Sequence, residues 1–223
     1  MKNLLLVIIT CWFSLSFSGL MEDFDSLGGN IDLYKKVQSV NDGKSVLIVQ
    51  DRIVKRKFAH ELSPEFSHVL GGDAYLDSNM IGATYNFHIN PRVSLGARYS
   101  YFFNDLTEEG RSVIDEISWV PELDYPKSSI TGHINYYPMY GKFSFFGKGI
   151  VQFDFYVTAG AGQMELDKGN SFTWLGGAGL GLWLSQHLTT RIEMRYQNFK
   201  AQSFKGERSQ NLTVANLSMG YLF

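Results

Sequence analysis

Three things are scarce in this chain. Cysteine occurs once, as Cys11. Neither sign of charge is in excess, with 20 Lys and Arg against 22 Asp and Glu and a formal net charge of −2. No stretch beyond the amino-terminal run approaches the ~18–20 consecutive apolar residues that a membrane helix requires. Each scarcity removes a class of function. A lone cysteine in the amino-terminal run leaves the rest of the chain without disulfides, thiol nucleophiles or Cys-based metal sites. Balanced charge, with no basic cluster beyond Lys55, Arg56 and Lys57, argues against a nucleic-acid partner. The missing apolar run excludes membrane spanning by helices, but it says nothing against spanning by strands, whose two faces alternate.

Met1, Lys2 and Asn3 precede an apolar run over 4–17, with Ser16 and Ser18 at the −3 and −1 positions of a cleavage site. This predicts a signal peptide over 1–18. Thr10 stands before Cys11 where a lipidation site has a small residue, so lipidation is not expected. The carboxyl terminus has the opposite character. Phe223, Tyr221, Met219, Leu217 and Ala215 alternate with Leu222, Gly220, Ser218 and Asn216, giving one large apolar face and one mostly small or polar. A strand of this form, ending on an aromatic residue, suits the closing strand of an outer-membrane barrel. Met219, Tyr221 and Phe223 are the expected signal for the barrel assembly machinery. A terminal strand of a soluble sandwich would read similarly.

The rest of the chain bears on that choice. Aromatic residues make up 15%, led by 17 Phe and 12 Tyr, and there are 22 Gly. Mean hydropathy is −0.11. Period-2 alternation recurs over 56–66, 79–89, 92–102, 129–137, 153–162, 172–184, 187–199 and 211–223. The clearest case is 187–199, where Leu188, Thr190, Ile192, Met194 and Tyr196 oppose Thr189, Arg191, Glu193, Arg195 and Gln197. A soluble sandwich would also alternate, with its apolar face inward. The even strand number, the aromatic strand ends and the leader favour apolar-out. The expected fold is all-β: a transmembrane antiparallel up-and-down β-barrel of eight strands over 56–223, preceded by a periplasmic segment over 19–55.

Tight turns are expected at Asn90-Pro91 and Ser185-Gln186 on the periplasmic side, and longer loops around 67–78, 103–128, 163–171 and 200–210 on the outer side. The stretch 138–152 reads as an amphipathic element at the inner interface, with Lys142 and Lys148 near headgroups.

Several stretches together carry a resemblance. They are Leu27-Gly28-Gly29-Asn30, Val49-Gln50-Asp51-Arg52, Tyr140-Gly141-Lys142-Phe143-Ser144, Gln152-Phe153-Asp154-Phe155-Tyr156, Ala159-Gly160-Ala161-Gly162 and the strand around Arg191 to Tyr196. The chain resembles a family of small outer-membrane β-barrel domains of deltaproteobacterial, predatory and gliding type. That resemblance implies an eight-stranded barrel in the outer membrane, association of some relatives with surface motility machinery, and no shared catalytic set. Gln152 departs from it, since a His is expected before the Phe-Asp pair.

The polar faces supply a candidate site. Glu61, Glu65, Asp154 and Glu193 face Arg92, Arg98, Arg191 and Arg195, four acids against four bases. An eight-stranded lumen is just wide enough for side chains, so these charges are expected to pair. An ion-selective pore would show an excess of one sign.

A lipid A-modifying enzyme needs a nucleophile and base together. Ser67 and His68 are adjacent and point apart. His187 and Thr189 share a face, with Glu193 further along, and His60 stands alone. No two His residues have metal-ligand spacing.

The outer loop over 103–128 carries Asp105, Glu108, Glu109, Asp115, Glu116, Glu122 and Asp124 against Arg111 and Lys127. It reads as a solvated acidic loop facing lipopolysaccharide or as a cation or partner surface, with Trp119 its apolar contact point. Leu47, in the apolar run 46–49, is the corresponding point in the leading segment. The expected function is a non-enzymatic outer-membrane anchor or structural component of a surface-associated complex, without cofactor or metal. A small passive channel and a lipid A-modifying enzyme are the alternatives.

Overall fold

The computed structural model describes residues 54–117, 124–145, 149–203 and 206–223. Eight strands follow one another: β1 (Ala59–Gly71), β2 (Leu76–Asn90), β3 (Val93–Leu106), β4 (Pro126–Phe145), β5 (Gly149–Leu166), β6 (Gly169–Trp183), β7 (Leu188–Ser203) and β8 (Gly206–Leu222). Each pairs antiparallel with the next, and β8 pairs with β1, so the sheet closes into a barrel in sequence order. One helix, α1 (Glu108–Ile117), lies in the connection from β3 to β4.

The alternation reads polar-in and apolar-out. Glu61, Ser63, Glu65 and Ser67 of β1 are buried, while Leu62 and Phe66 between them are exposed. In β7, Thr189, Arg191, Glu193, Arg195 and Gln197 are buried, and Ile192, Met194 and Tyr196 are exposed. Water would not tolerate this arrangement, and a soluble sandwich would invert it. Hydrocarbon requires it, because the closed ladder leaves no backbone edge unpaired and the outer face offers only apolar side chains. Aromatic side chains collect at both ends of the exposed face. Phe58, Tyr85, Tyr136, Tyr221 and Phe223 lie at the end where β1 begins and β8 ends, and Tyr101, Phe103, Phe172, Trp174 and Tyr196 lie toward the other.

Two expectations are corrected. The stretch 138–152 is not an amphipathic interfacial element. β4 runs on to Phe145, past a bulge between Tyr136 and Met139, and pairs with β5 from Met139↔Phe155 to Phe145↔Gly149. Lys142 sits on that strand, and Lys148 lies outside the described residues. Tyr and Phe favour an extended backbone as readily as an interfacial helix, and the partner strand decides. The outer loops are also shorter than expected. The strands extend through most of 67–78, 163–171 and 200–210, because polar residues continue the same ladder beyond the apolar band.

Ile192 and Leu217 pair across β7 and β8 on the exposed face, well inside both strand ends. An Ile192→Arg change is expected to lower barrel stability by about 2–4 kcal/mol, the cost of a midplane arginine on a lipid face. Urea unfolding in lipid vesicles would measure it. A loss below about 0.5 kcal/mol, the ordinary range of a surface change, would contradict this placement of the membrane.

Candidate functional site

Side chains fill the lumen in three layers. Toward the far end, Met80, Phe102, Met164, Leu166, Phe199, Ala201, Leu212 and Val214 form one buried apolar cluster inside the barrel. At the end where β1 begins and β8 ends, Val54, Trp183 and Leu222 form a second. Between them lies a belt of buried charge.

Glu193 of β7 is the junction of that belt. Its Oε1 accepts from Arg98 Nη2 of β3 at 3.0 Å and from Arg195 Nη1 at 3.2 Å, and its Oε2 accepts from the Tyr156 hydroxyl of β5 at 2.9 Å. Arg98 Nε donates in turn to Glu65 Oε2 of β1 at 3.1 Å and to the Thr84 hydroxyl at 3.0 Å. Thr84 and Ser100 also donate to Glu65. A second group centres on Glu61, whose Oε2 is 2.6 Å from Arg191 Nη2 and 2.7 Å from His88 Nε2. Buried charges persist only when paired and hydrogen-bonded in this way.

The sequence of β6 makes the room. Gly177, Gly179 and Gly181 pair with Arg195, Glu193 and Arg191 on one side, and with Thr158, Tyr156 and Asp154 on the other. A Cβ on Gly179 would stand 2.5–2.7 Å from the Tyr156 ring and hydroxyl, and one on Gly181 would stand 2.8 Å from Asp154 Oδ1. These glycines are steric vacancies that the neighbouring side chains occupy.

Of the eight expected network residues, seven lie in the lumen: Glu61, Glu65, Arg98, Asp154, Arg191, Glu193 and Arg195. Arg92 does not. It is exposed in the β2–β3 turn, where its backbone N–H donates to Asn90 Oδ1. The period that aligned it with Arg98 breaks at the turn. Arg56 takes its place: it is buried, bonded to Asp154 and held with its guanidinium carbon 4.6 Å from the ring centroids of both Tyr137 and Trp183. Trp183 Nε1 also donates to Asp154. The expected alternation over 56–66 put Arg56 on the face of Phe58 and Leu62, but Phe58 has a positive φ of 57° and β1 begins only at Ala59, so the period does not reach back to Arg56. His88, His133, Tyr137 and Tyr156 were likewise absent from the expected set. His133 Nε2 lies 3.0 Å from Asn86 Oδ1, which also accepts from Asn135.

Asp124 is not part of a solvated acidic loop. It is buried, and its two oxygens accept backbone N–H bonds from Lys168 at 2.9 Å and Gln202 at 2.7 Å, tying the start of β4 to the β5–β6 turn and to β7. Asp105 lies in β3, and Glu108, Glu109 and Arg111 lie in α1. Thr107 caps α1, its hydroxyl accepting from the Gly110 N–H at 3.2 Å, with two acids in the favourable first turn. Leu47 and Trp119 lie outside the described residues, as does Glu122. Met219 and Tyr221 are exposed on β8, as is Phe223 just past its end, and the Phe223 and His60 backbones exchange two hydrogen bonds.

No expected nucleophile–base pair forms. Ser67 donates inward to Asn216 Oδ1, while His68 sits beside Asn79. His187 stacks on Tyr221, and Thr189 turns into the lumen, so the two do not share a face as the sequence suggested. His60 bonds the Tyr85 hydroxyl at 2.5 Å and stacks on Phe223.

The described family "Outer membrane protein beta-barrel domain" has a sequence model that matches residues 57–223. Comparison with curated proteins finds no match. Among solved structures, the chain is similar to the outer membrane protein OprG from Pseudomonas aeruginosa, at 12% identity and a TM-score of 0.44, over 78% of this chain and 99% of that one. It is similar to the N-terminal β-barrel domain of OprF from the same organism, at 11% identity and a TM-score of 0.41, over 75% and 98%. A de novo designed transmembrane β-barrel aligns at 13% identity and a TM-score of 0.41, over 76% and 99%.

Removing Glu193 leaves Arg98 and Arg195 facing each other in a buried site. A Glu193→Ala barrel is expected to lose about 3–5 kcal/mol, the cost of breaking a buried pair from one side. Adding Arg195→Ala should restore part of it. Arg92→Ala should stay within about 0.5 kcal/mol. Urea unfolding of these reconstituted barrels, with Arg195→Ala alone as the fourth, checks the set. An additive double variant would remove Glu193 from its place as junction.

Proposed function

The chain belongs to the outer membrane protein β-barrel domain family, and from that premise we propose that its barrel is a non-conducting, non-enzymatic anchor for a surface-associated complex. It is an outer-membrane protein, and the exposed apolar band with its aromatic ends is the part that the lipid holds. The filled lumen carries the anchor reading. An apolar layer, a neutralised belt of charge and a second apolar layer occupy the bore in series, and an interior only as wide as its side chains leaves little for a solute. The charges of the belt are balanced and bonded to each other, whereas a selective path needs a surplus of one sign facing water.

Chemistry at the lipid-facing edge has poor support. The serine, threonine and histidine candidates are dispersed between the lumen and the outer face, and each has a structural neighbour of its own. Function then falls to the two ends. The far end presents α1 and the strand extensions held by Asp124. The other end presents the β4–β5 hairpin. Lipid and lipopolysaccharide surround the barrel, and protein partners would be met through these ends. The likeness of the sequence to deltaproteobacterial relatives of predatory and gliding type belongs to this proposal, and favours a complex on the cell surface.

Two measurements test it. In planar bilayers the purified barrel is expected to give no stable single-channel steps, and regular steps would establish the channel instead. Photocrosslinking probes at Leu47 and Trp119 in native outer membranes are expected to give a discrete protein adduct at one or both. Silence at both, with a heat-modifiable barrel, would remove the complex. An altered lipid A mass profile on deletion would turn the reading toward an enzyme.

A further inference from the structure

The two ends of the barrel differ in exposed charge. Where β1 begins and β8 ends, Lys55, Lys57 and Arg92 are exposed, and among the described residues no acidic side chain is exposed there. The nearest acids, Glu61 and Asp154, are buried in the lumen and already bonded to Arg191 and Arg56. The far end is mixed, with Asp77, Asp105, Glu165, Asp167 and Glu207 exposed beside Lys168, Lys200 and Arg208. The basic rim therefore has a surplus of positive charge that the described chain does not neutralise.

That rim borders a cavity. About 540 Å³ opens between the β2–β3 turn and β4, lined by Asn90, Pro91, Arg92, Val93 and Tyr136. Sites for small molecules occupy roughly 300–1,000 Å³. The Asn90 carboxamide oxygen accepts the backbone N–H bonds of Arg92 at 2.7 Å and Val93 at 2.8 Å, so the turn is held and the exposed guanidinium is what Arg92 offers to an anion. Val93 and Tyr136 pair across β3 and β4, and the next pair on the same outer face, Leu95 and Ile134, continues the apolar wall toward the middle of the membrane. Tyr136 belongs to the aromatic ring of this end, which sets the cavity at headgroup depth. Lys57 approaches from the other side. The Phe58 N–H donates to the His88 carbonyl at 2.8 Å and the Phe58 ring stacks on Phe87, which lays 57–58 along the end of β2 that leads into the turn.

We propose that this cavity binds an anionic phospholipid, with Arg92 on the phosphate, Lys57 adding to the positive field, and an acyl chain along Val93, Leu95 and Ile134. Each part of the ligand answers to a part of the site. The uncompensated basic rim selects an anionic head, because a zwitterionic one brings its own cation among like charges. The apolar wall selects a lipid, because a free phosphate would use Arg92 and leave Tyr136 and Val93 without a role. Short connections at β2–β3 and β6–β7 mark this end as the periplasmic side, so the lipid comes from the inner leaflet and not from lipopolysaccharide. The inference does not depend on the anchor reading, since an anchor, a channel or an enzyme could each hold such a lipid.

Photoactivatable phosphatidylglycerol, reactive on its acyl chain, tests this with the full chain in phosphatidylcholine vesicles. Crosslinks mapped by mass spectrometry are expected to concentrate on 93–95 and 134–136. Arg92→Ala lies in an exposed turn and keeps the fold, and it is expected to lower this labelling about fivefold, the effect of one basic side chain at an anionic lipid surface. Lys57→Ala should lower it less, and Arg92→Lys should keep most of it. A matched phosphatidylcholine probe should label the wild type and Arg92→Ala alike. Labelling spread evenly around the barrel, or unchanged by Arg92→Ala, would overturn the proposal. Displacement of the probe by glycerol phosphate at constant ionic strength would also overturn it, by assigning the cavity to a soluble anion.

Discussion

Everything inside this barrel depends on one constraint: a lumen about as wide as its side chains buries its charges, and a buried charge must find a counter-charge. Glu193 meets that requirement by joining three strands at once. It takes Arg98 from β3, Tyr156 from β5 and Arg195 from its own strand, and through Arg98 it is connected to Glu65 of β1. These contacts join opposite walls, which the backbone ladder cannot do. The glycines of β6 follow from the same need, because a side chain at Gly179 would occupy the place of the Tyr156 ring. Balanced buried charge specifies one register more sharply than apolar packing would, since slipping a strand by one residue would put arginine into hydrocarbon.

The layering assigns different work to different heights of the molecule. The apolar clusters close the belt of charge at both ends, and the outer face satisfies the lipid. The two ends differ in construction. At the far end, Asp124 gathers backbone amides from two other connections and makes the strand extensions one piece. At the other end β4 and β5 stay paired past the point where the β3–β4 ladder stops.

Legibility in the sequence varied with distance along the chain. Period-2 patterns are local, and they placed the lumenal faces of β1, β3 and β7 with Glu61, Glu65, Arg98, Arg191, Glu193 and Arg195 in the bore. They failed at breaks in the period. Arg92 sits one step past such a break and turns outward, while Arg56 lies ahead of the first strand and enters the lumen by stacking between Tyr137 and Trp183. Aromatic residues in 138–145 fitted an interfacial element equally well until β5 supplied the partner ladder. Asp124 read as one more solvated acid, since nothing near it in sequence announces the amides of Lys168 and Gln202.

The sequence by itself determined the strand number, the alternation, the two faces and the need for charge balance, because each of these is set by neighbours two residues apart. Only the tertiary structure decided which acid meets which base, which arginine is inside, and how far each strand runs. Those are properties of closure. They depend on register between strands that can lie more than a hundred residues apart, as for Glu61 and Arg191, and on the width of a bore that exists only once β8 has met β1.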